Sequence, residues 1–209
     1  MLDDNTYYNK EHNLEYWHIP KNAMTSIRRQ LSFSWTSSRQ LPHDRKIFTV
    51  IRNPFDRLLS SYLMCRDVLY GPLTSLFNVM DIDPSSYMFN TNKDIVKGYQ
   101  EYINEIAENG PFDAHNLTQI HFIKDKLVIG NGNYLRQFHN ITDFILFENL
   151  NEGLSKLHNK KIVLEKTNQS KPLSDDTKEL LRKVSHINKD KILSIYGEDY
   201  KLYNKIKNG

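Results

Sequence analysis

The chain has 209 residues and a mass of 24.7 kDa, which suits one well-buried α/β domain and is too short for two domains of ordinary size. Hydrophobic residues make up 39% of the sequence and charged residues 25%, a composition typical of a soluble globular protein. The net charge is only +3, without a basic run of five residues, and no apolar stretch approaches the roughly 20 residues of a membrane-spanning helix. We therefore expect a single domain over residues 1–209, with neither a nucleic-acid partner nor a membrane span.

A turn that contains Lys21 follows a predicted strand at residues 14–19. After Lys21 the sequence predicts a helix from Thr25 onward. A helix N-terminus leaves backbone N–H groups unpaired, so an anion placed there gains hydrogen bonds. Thr25 and Ser26 add hydroxyl donors and Lys21 adds a compact positive charge. The pattern predicts a phosphate-binding turn.

This turn is not a Walker A loop. That motif places its lysine after the second glycine, directly before Ser or Thr, whereas here Lys21 leads the turn and no glycine follows it. Ala23 is small enough for the backbone to approach a phosphate closely.

A second strand-turn-helix unit begins at residues 46–52. Asn53 is a good N-cap, Pro54 suits the first helical position, and Asp56 falls in the first turn, where a negative charge is favoured. Arg52, at the end of the predicted strand, can bind a phosphate in bidentate fashion. Two such turns on one sheet edge imply a ligand that is phosphorylated at two places.

The two turns resemble the binding motifs of the sulfotransferases that use 3′-phosphoadenosine-5′-phosphosulfate (PAPS), especially the carbohydrate-type branch. The resemblance implies a P-loop-like, three-layer αβα fold with a central parallel sheet, and it covers most of the chain. It implies that Arg52 and Ser60 hold the 3′-phosphate of PAPS. It also implies a first nucleotide-binding motif made of Lys21, Asn22, Ala23, Met24, Thr25 and Ser26.

A third strong strand signal is the continuous apolar run 144–147, followed by Glu148 and a helix at 151–159. Such a run is typical of a parallel strand that is covered on both faces. Ligands of parallel sheets bind outside the carboxyl ends of the strands, where both predicted phosphate turns lie.

Residues 66–140 are less regular, and we expect them to supply the acceptor side. An amphipathic helix begins near Ile95 and should stop at the Asn109-Gly110-Pro111 sequence. The segment 112–119 is similar to a family segment in which Asp, His and Gln recur, although Asn116 stands where the family usually has Trp.

Histidine has a suitable ordinary pKa for a general base, and His115 in this segment is the first candidate. Asp113 and Glu148 are carboxylate alternatives. His18 is interpreted as a packed core histidine in a strand, and His43 precedes the second strand at its amino end, away from the expected site.

A late polar loop, residues 166–172, precedes a helix that Ser174 should cap. The loop resembles the family segment that closes over the nucleotide, and the resemblance implies a nucleotide role for Ser170 and Lys171. The alternative interpretation is an ordinary solvated, lysine-rich loop.

The leading hypothesis is a PAPS-dependent sulfotransferase that acts on a glycan or another hydroxylated small molecule, with Lys21 neutralising the leaving phosphate. We expect no metal requirement, because cations already hold that phosphate and no histidine pair has metal-ligand spacing. A P-loop kinase and a non-catalytic nucleotide-binding module remain alternatives. The oligomeric state is open.

We expect a cytoplasmic location, because residues 1–5 lack the basic and apolar regions of a signal peptide and Cys65 is the only cysteine. Golgi members of the family usually carry a membrane anchor and several cysteines. The comparison favours a soluble enzyme of bacterial or viral origin.

Overall fold

The computed structural model describes residues 5–37, 40–70, 94–111, 115–124, 141–165 and 173–209. The chain forms two compact units. We call them the sheet unit and the helical unit. The sheet unit comprises Met1–Asn53, Gln119–Asn168 and Lys201–Gly209, and the helical unit comprises Pro54–Thr118 and Gln169–Tyr200.

A mixed sheet of five strands runs through the described part of the sheet unit, in the spatial order β3-β1-β2-β4-β5. Strands β2, β4 and β5 are parallel, whereas β1 pairs antiparallel with both β2 and β3. The prediction of a parallel sheet is therefore wrong for β1, which runs opposite to the other four strands and makes two antiparallel pairings. The strand bounds are Asn5–Asn9 for β1, Leu14–Tyr16 for β2, Ser34–Ser37 for β3, Lys46–Ile51 for β4 and Asp143–Leu146 for β5.

The strands β1 and β3 were not predicted, because neither has an apolar run. Their pairing depends on cross-strand contacts instead. Tyr7 lies opposite Tyr16 on one side and Trp35 on the other, and the Tyr7 and Trp35 ring centroids are 4.7 Å apart. Aromatic pairs of this kind stabilise antiparallel strands.

Seven α-helices are present in the described residues. Two of them open at the predicted turns, and the helices Ile95–Asn109, Leu150–His158 and Asp175–Ile187 follow predicted helical patterns. The helices Gln119–Lys124 and Lys189–Asn208 were not predicted. Their bounds are Met24–Gln30 for α1, Pro54–Tyr70 for α2, Ile95–Asn109 for α3, Gln119–Lys124 for α4, Leu150–His158 for α5, Asp175–Ile187 for α6 and Lys189–Asn208 for α7. A 3₁₀ helix, Phe147–Asn149, joins β5 to α5.

The core of the sheet unit forms around β2 and β4. Tyr16 and Phe48 are fully buried and stack with ring centroids 5.0 Å apart, and Ile27 of α1 packs in the same cluster. The third predicted strand differs from its expected environment. β5 lies at one end of the strand order and Phe144 is 37% exposed, so this strand is not covered on both faces.

The helical unit is built on the buried face of α3. Tyr99, Tyr102 and Ile106 are buried there, as the helical spacing predicts, and α3 ends at Gly110, whose φ of 81° suits glycine. The buried hydroxyls are paired: Tyr99 with Ser185 at 3.0 Å and Tyr102 with Ser61 at 2.9 Å. The predicted cap of α6 is confirmed, because the Ser174 hydroxyl accepts a hydrogen bond from the Thr177 N–H.

Within the described ranges, no helix is long and apolar enough to cross a bilayer. The single domain over residues 1–209, the three-layer arrangement, the acceptor-side role of residues 66–140 and the cytoplasmic location stay predictions.

Candidate functional site

The first predicted turn is a loop with two residues in the left-handed backbone region. We call residues 20–23 the lysine loop. Lys21 has φ 71° and Ala23 has φ 65°, conformations that glycine adopts without strain and other residues rarely adopt. The loop therefore keeps a glycine-like backbone without a glycine. Left-handed residues persist only where surrounding structure fixes them, and they cluster at functional sites.

A buried tyrosine at the end of β2 helps to fix the backbone of the lysine loop. The Tyr16 hydroxyl donates a hydrogen bond of 2.7 Å to the backbone oxygen of Asn22. Burial, with a smaller effect of Tyr7, raises the pKa of Tyr16 well above its ordinary value. The hydroxyl thus remains a hydrogen-bond donor throughout the physiological pH range.

The chemistry of the loop and of the first turn of α1 fits an anion. Ala23 precedes α1 as its N-cap without a side-chain oxygen to bond the first N–H groups, and the first turn contains no acidic residue. Lys21, Thr25 and Ser26 are partly buried donors. α1 has only seven residues, so the side chains of the loop carry this argument rather than the helix dipole.

Arg52, the key residue of the second predicted turn, lies against the lysine loop. Its Nη1 donates a hydrogen bond of 3.1 Å to the backbone oxygen of Lys21. Its Cζ lies 4.4 Å from the ring centroid of Phe147, in the 3₁₀ helix that follows β5, a cation–π distance. The structure thus brings the first motif and the arginine of the second motif together at the ends of neighbouring strands, as predicted.

Two amide side chains connect these motifs inside the sheet unit. Asn22 is fully buried, and its Nδ2 donates to the backbone oxygen of Val50 and to Oε1 of Gln119, both at 2.7 Å. Gln119 is also fully buried. Its Oε1 accepts from the Arg52 N–H at 3.0 Å, and its Nε2 donates to the Arg52 backbone oxygen at 2.8 Å.

Gln119 was assigned no role from the sequence, although it lies in the family-like segment 112–119. An amide at that position carried no chemical signal, because its partners, the Asn22 side chain and the Arg52 backbone, are distant in sequence. Asn22 was predicted only as part of the loop, and the structure shows its side chain turned inward to the end of β4.

The remaining predicted nucleotide and base residues belong to the helical unit, fall outside the described residues, or are the alternative bases of the sheet unit. Ser60 is partly buried on α2, and His115 is partly buried in a turn; both belong to the helical unit. Three predicted residues fall in ranges that the structure does not describe: Asp113, Ser170 and Lys171.

The alternative bases of the sheet unit have surroundings of their own. Glu148 is exposed in the 3₁₀ helix, and its carboxylate accepts a hydrogen bond from the Tyr203 hydroxyl. His18 is not in a strand, because β2 ends at Tyr16, and it is only partly buried, with its ring 5.2 Å from that of Tyr7. The prediction of a core histidine is wrong there. His43 is exposed before β4, as predicted.

Two further features concern metal binding and the position of a surface cleft. Among the residues that the structure describes, no group of three or more His, Cys, Asp or Glu side chains could hold a metal ion. A shallow cleft of about 360 Å³ next to β5 and α5 is lined by residues such as Lys46, Asp143 and Gly153, but by no residue of the lysine loop.

Comparison with known proteins gives one match. A family model described as "Sulfotransferase family" matches residues 4–205, nearly the whole chain and parts of both units. No curated protein and no solved structure matches the chain significantly.

Proposed function

We propose that this chain, which belongs to the sulfotransferase family, transfers a sulfuryl group from PAPS to a hydroxyl or amine of a glycan or another small acceptor. The single observation that carries the proposal is the hydrogen bond between Arg52 and the backbone oxygen of Lys21. It joins the arginine of one motif to the lysine loop of the other, in a chain of a family that transfers sulfuryl groups. A ligand with two phosphorylated positions is the natural partner of two adjacent cationic turns.

In this proposal the two motifs divide the donor between them. The lysine loop, with Met24, Thr25 and Ser26, holds the 5′-phosphosulfate, and Arg52 with Ser60 holds the 3′-phosphate. Ser170 and Lys171 complete the nucleotide site. The roles of Ser60, Ser170 and Lys171 rest on the sequence resemblance alone.

The reaction is an in-line displacement at sulfur. The acceptor oxygen or nitrogen forms a bond to sulfur, the bond between sulfur and the bridging oxygen breaks, and 3′-phosphoadenosine-5′-phosphate (PAP) leaves with that electron pair. Lys21 balances the charge that grows on the leaving phosphate, an effect strongest in the transition state. His115 takes the acceptor proton, with Glu148 and Asp113 as the alternative bases.

Nucleotide binding without magnesium tests the donor. Calorimetry should show that PAP binds more tightly than 5′-AMP or ATP, because Arg52 recognises the 3′-phosphate. Arg52→Ala should weaken PAP binding by about 1.5 to 3 kcal/mol, the range for a hydrogen bond to a charged group. Arg182→Ala, at an exposed position on α6, is the control and should leave PAP binding unchanged.

Two results would contradict the proposal: equal affinity of the wild type for PAP and 5′-AMP, or unchanged PAP binding in Arg52→Ala.

The role of Lys21 is tested by single-turnover sulfate transfer at saturating PAPS. Lys21→Ala should lose more in turnover than in PAP affinity, and normal turnover would remove Lys21 from the chemical step.

A further inference from the structure

The side chain of Gln119 lies where the lysine loop meets the end of β4. It is fully buried at the first position of α4 and makes three hydrogen bonds with residues that the structure describes: one with the side chain of Asn22, one with the N–H of Arg52 and one with the backbone oxygen of Arg52. We call Asn22 and Gln119 the amide bridge. The Gln119 side chain thereby contacts both predicted anion-binding motifs, the lysine loop and Arg52, within the sheet unit.

Few side chains other than glutamine could make this set of bonds. Oε1 accepts from two N–H donors while Nε2 donates to a carbonyl, so the position requires an acceptor and a donor on one planar group. An ionised glutamate has no donor and lysine has no acceptor. An apolar side chain of similar size would leave the Arg52 backbone and Asn22 without these bonds in a buried position.

The amide bridge also explains how the strained loop stays in place. Lys21 and Ala23 have left-handed φ values, which persist only where the surroundings determine them. Asn22, between them, is hydrogen-bonded to Val50 and Gln119, and Gln119 is hydrogen-bonded to the Arg52 backbone. The loop is therefore fixed relative to Arg52.

We propose that Gln119 is a positioning residue that sets the spacing between the lysine loop and Arg52, and thereby the preference for a nucleotide phosphorylated at both its 5′ and 3′ positions. The inference rests on the proposed function, because it assumes that the loop and Arg52 bind two phosphates of one ligand. A second anchor adds affinity only when its distance from the first matches the ligand. A ligand with a single phosphate needs one anchor and is insensitive to that spacing.

The affinity ratio between PAP and 5′-AMP measures this effect. Gln119→Met keeps the length of the side chain but removes its hydrogen bonds. The variant should bind 5′-AMP within a few-fold of the wild type, while the ratio in favour of PAP falls about tenfold or more, as expected when one charge-assisted hydrogen bond is lost.

Gln100→Met is a matched control. Gln100 on α3 also makes three side-chain hydrogen bonds, one with Asn104 and two with Asn188, but it belongs to the helical unit. Gln100→Met should lower the melting temperature without changing the ratio of the PAP affinity to the 5′-AMP affinity. Gln119→Asn keeps the amide on a side chain one methylene shorter and should give an intermediate ratio, which supplies the test if the Met variant does not fold.

The outcomes separate the two hypotheses. A wild-type ratio in a folded Gln119→Met or Gln119→Asn protein overturns the positioning role and leaves the proposed function standing. Equal loss of affinity for both nucleotides also overturns it, because a merely structural residue would act in that way. A wild type that does not prefer PAP over 5′-AMP contradicts the proposed function itself.

Discussion

Ala23 holds a left-handed conformation at the point where α1 begins, and its φ of 65° is one that a Cβ atom disfavours. Glycine would adopt this conformation without that penalty. Here the amide bridge and the Tyr16 hydroxyl hold the neighbouring Asn22, so the backbone keeps its path at a cost in local strain.

The strain predicts the effect of restoring a glycine. Ala23→Gly should change the free energy of unfolding by between zero and about 1.5 kcal/mol in the stabilising direction. Relief of the strain in a left-handed residue stabilises the folded state by roughly 1–2 kcal/mol. The extra entropy of glycine in the unfolded chain offsets about 0.5–1 kcal/mol of this gain. Thermal unfolding measures the change.

The same substitution inside a helix should have the opposite effect. Ala107→Gly, within α3, should destabilise by about 1 kcal/mol because glycine is a poor helix former. If Ala23→Gly lowers the melting temperature as much as Ala107→Gly does, the left-handed conformation is not a source of strain.

His115 is the residue whose proposed role depends most on the resemblance. As a general base it should contribute about a hundred- to ten-thousand-fold in rate. His115→Ala should therefore lose single-turnover sulfate transfer by that factor while PAP binding stays nearly unchanged.

His43→Ala, at an exposed position before β4, provides the control for His115→Ala and should keep full activity. Activity of His115→Ala within a few-fold of the wild type would move the search for the base to Glu148, Asp113 and His18.

At the scale of elements, α5 packs closely on β5 because Gly153 lacks a side chain. A Cβ atom at this position would lie 2.5 Å from Cγ2 of Ile145 and 3.1 Å from its Cγ1. Ile145 is buried and cannot move aside freely, so the glycine is explained by the close approach of helix and strand.

Gly153→Ala should lower the free energy of unfolding by about 1–3 kcal/mol, the usual cost of overpacking. Gly197→Ala in α7 is the matched control. A Cβ atom there meets nothing within 4 Å, so the alanine should stabilise by up to about 1 kcal/mol through helix propensity. Thermal unfolding of the two variants should shift in opposite directions, and a stabilising Gly153→Ala would refute the tight contact.

At the scale of the molecule, a buried histidine connects folding to pH. His158, the last residue of α5, is 7% exposed, and neither of its ring nitrogens has a hydrogen-bond partner in the described residues. Burial above all, and then the nearby charges of His12 and Lys160, lower the pKa of His158 to about 4 against the opposing effect of Glu11. His158 is therefore neutral in the folded protein.

The sign of the pH dependence follows from this pKa. In the unfolded chain the histidine titrates near 6.5, so between pH 6.5 and about 4 the unfolded state binds a proton that the folded state does not. The free energy of unfolding should fall as the pH falls through this window, as urea titrations would show.

His158→Phe should flatten the part of the slope that this histidine contributes. His186→Gln, at an exposed position on α6, should leave the slope as in the wild type. An unchanged slope in His158→Phe would show that other groups cause the loss of stability.

The sequence by itself determined the elements that carry strong local signals. Continuous apolar runs fixed the strands around Phe48 and Ile145, helical spacing fixed the buried face of α3, and Ser174 marked the start of α6. Lys21 and Arg52 were recognised because cations after strands are unusual and chemically specific. Each of these signals is made by residues only a few positions apart in the sequence. Periodicity and turn chemistry therefore reveal it without knowledge of the tertiary structure.

Only the tertiary structure decided the rest, because it depends on partners distant in sequence. The strands β1 and β3 are too polar to be recognised alone and exist through pairing with each other. Gln119 gained its place through hydrogen bonds to residues 67 and 97 positions away. The left-handed backbone of the lysine loop, which the missing glycines made unexpected, was likewise set by contacts with Tyr16 and with the end of β4.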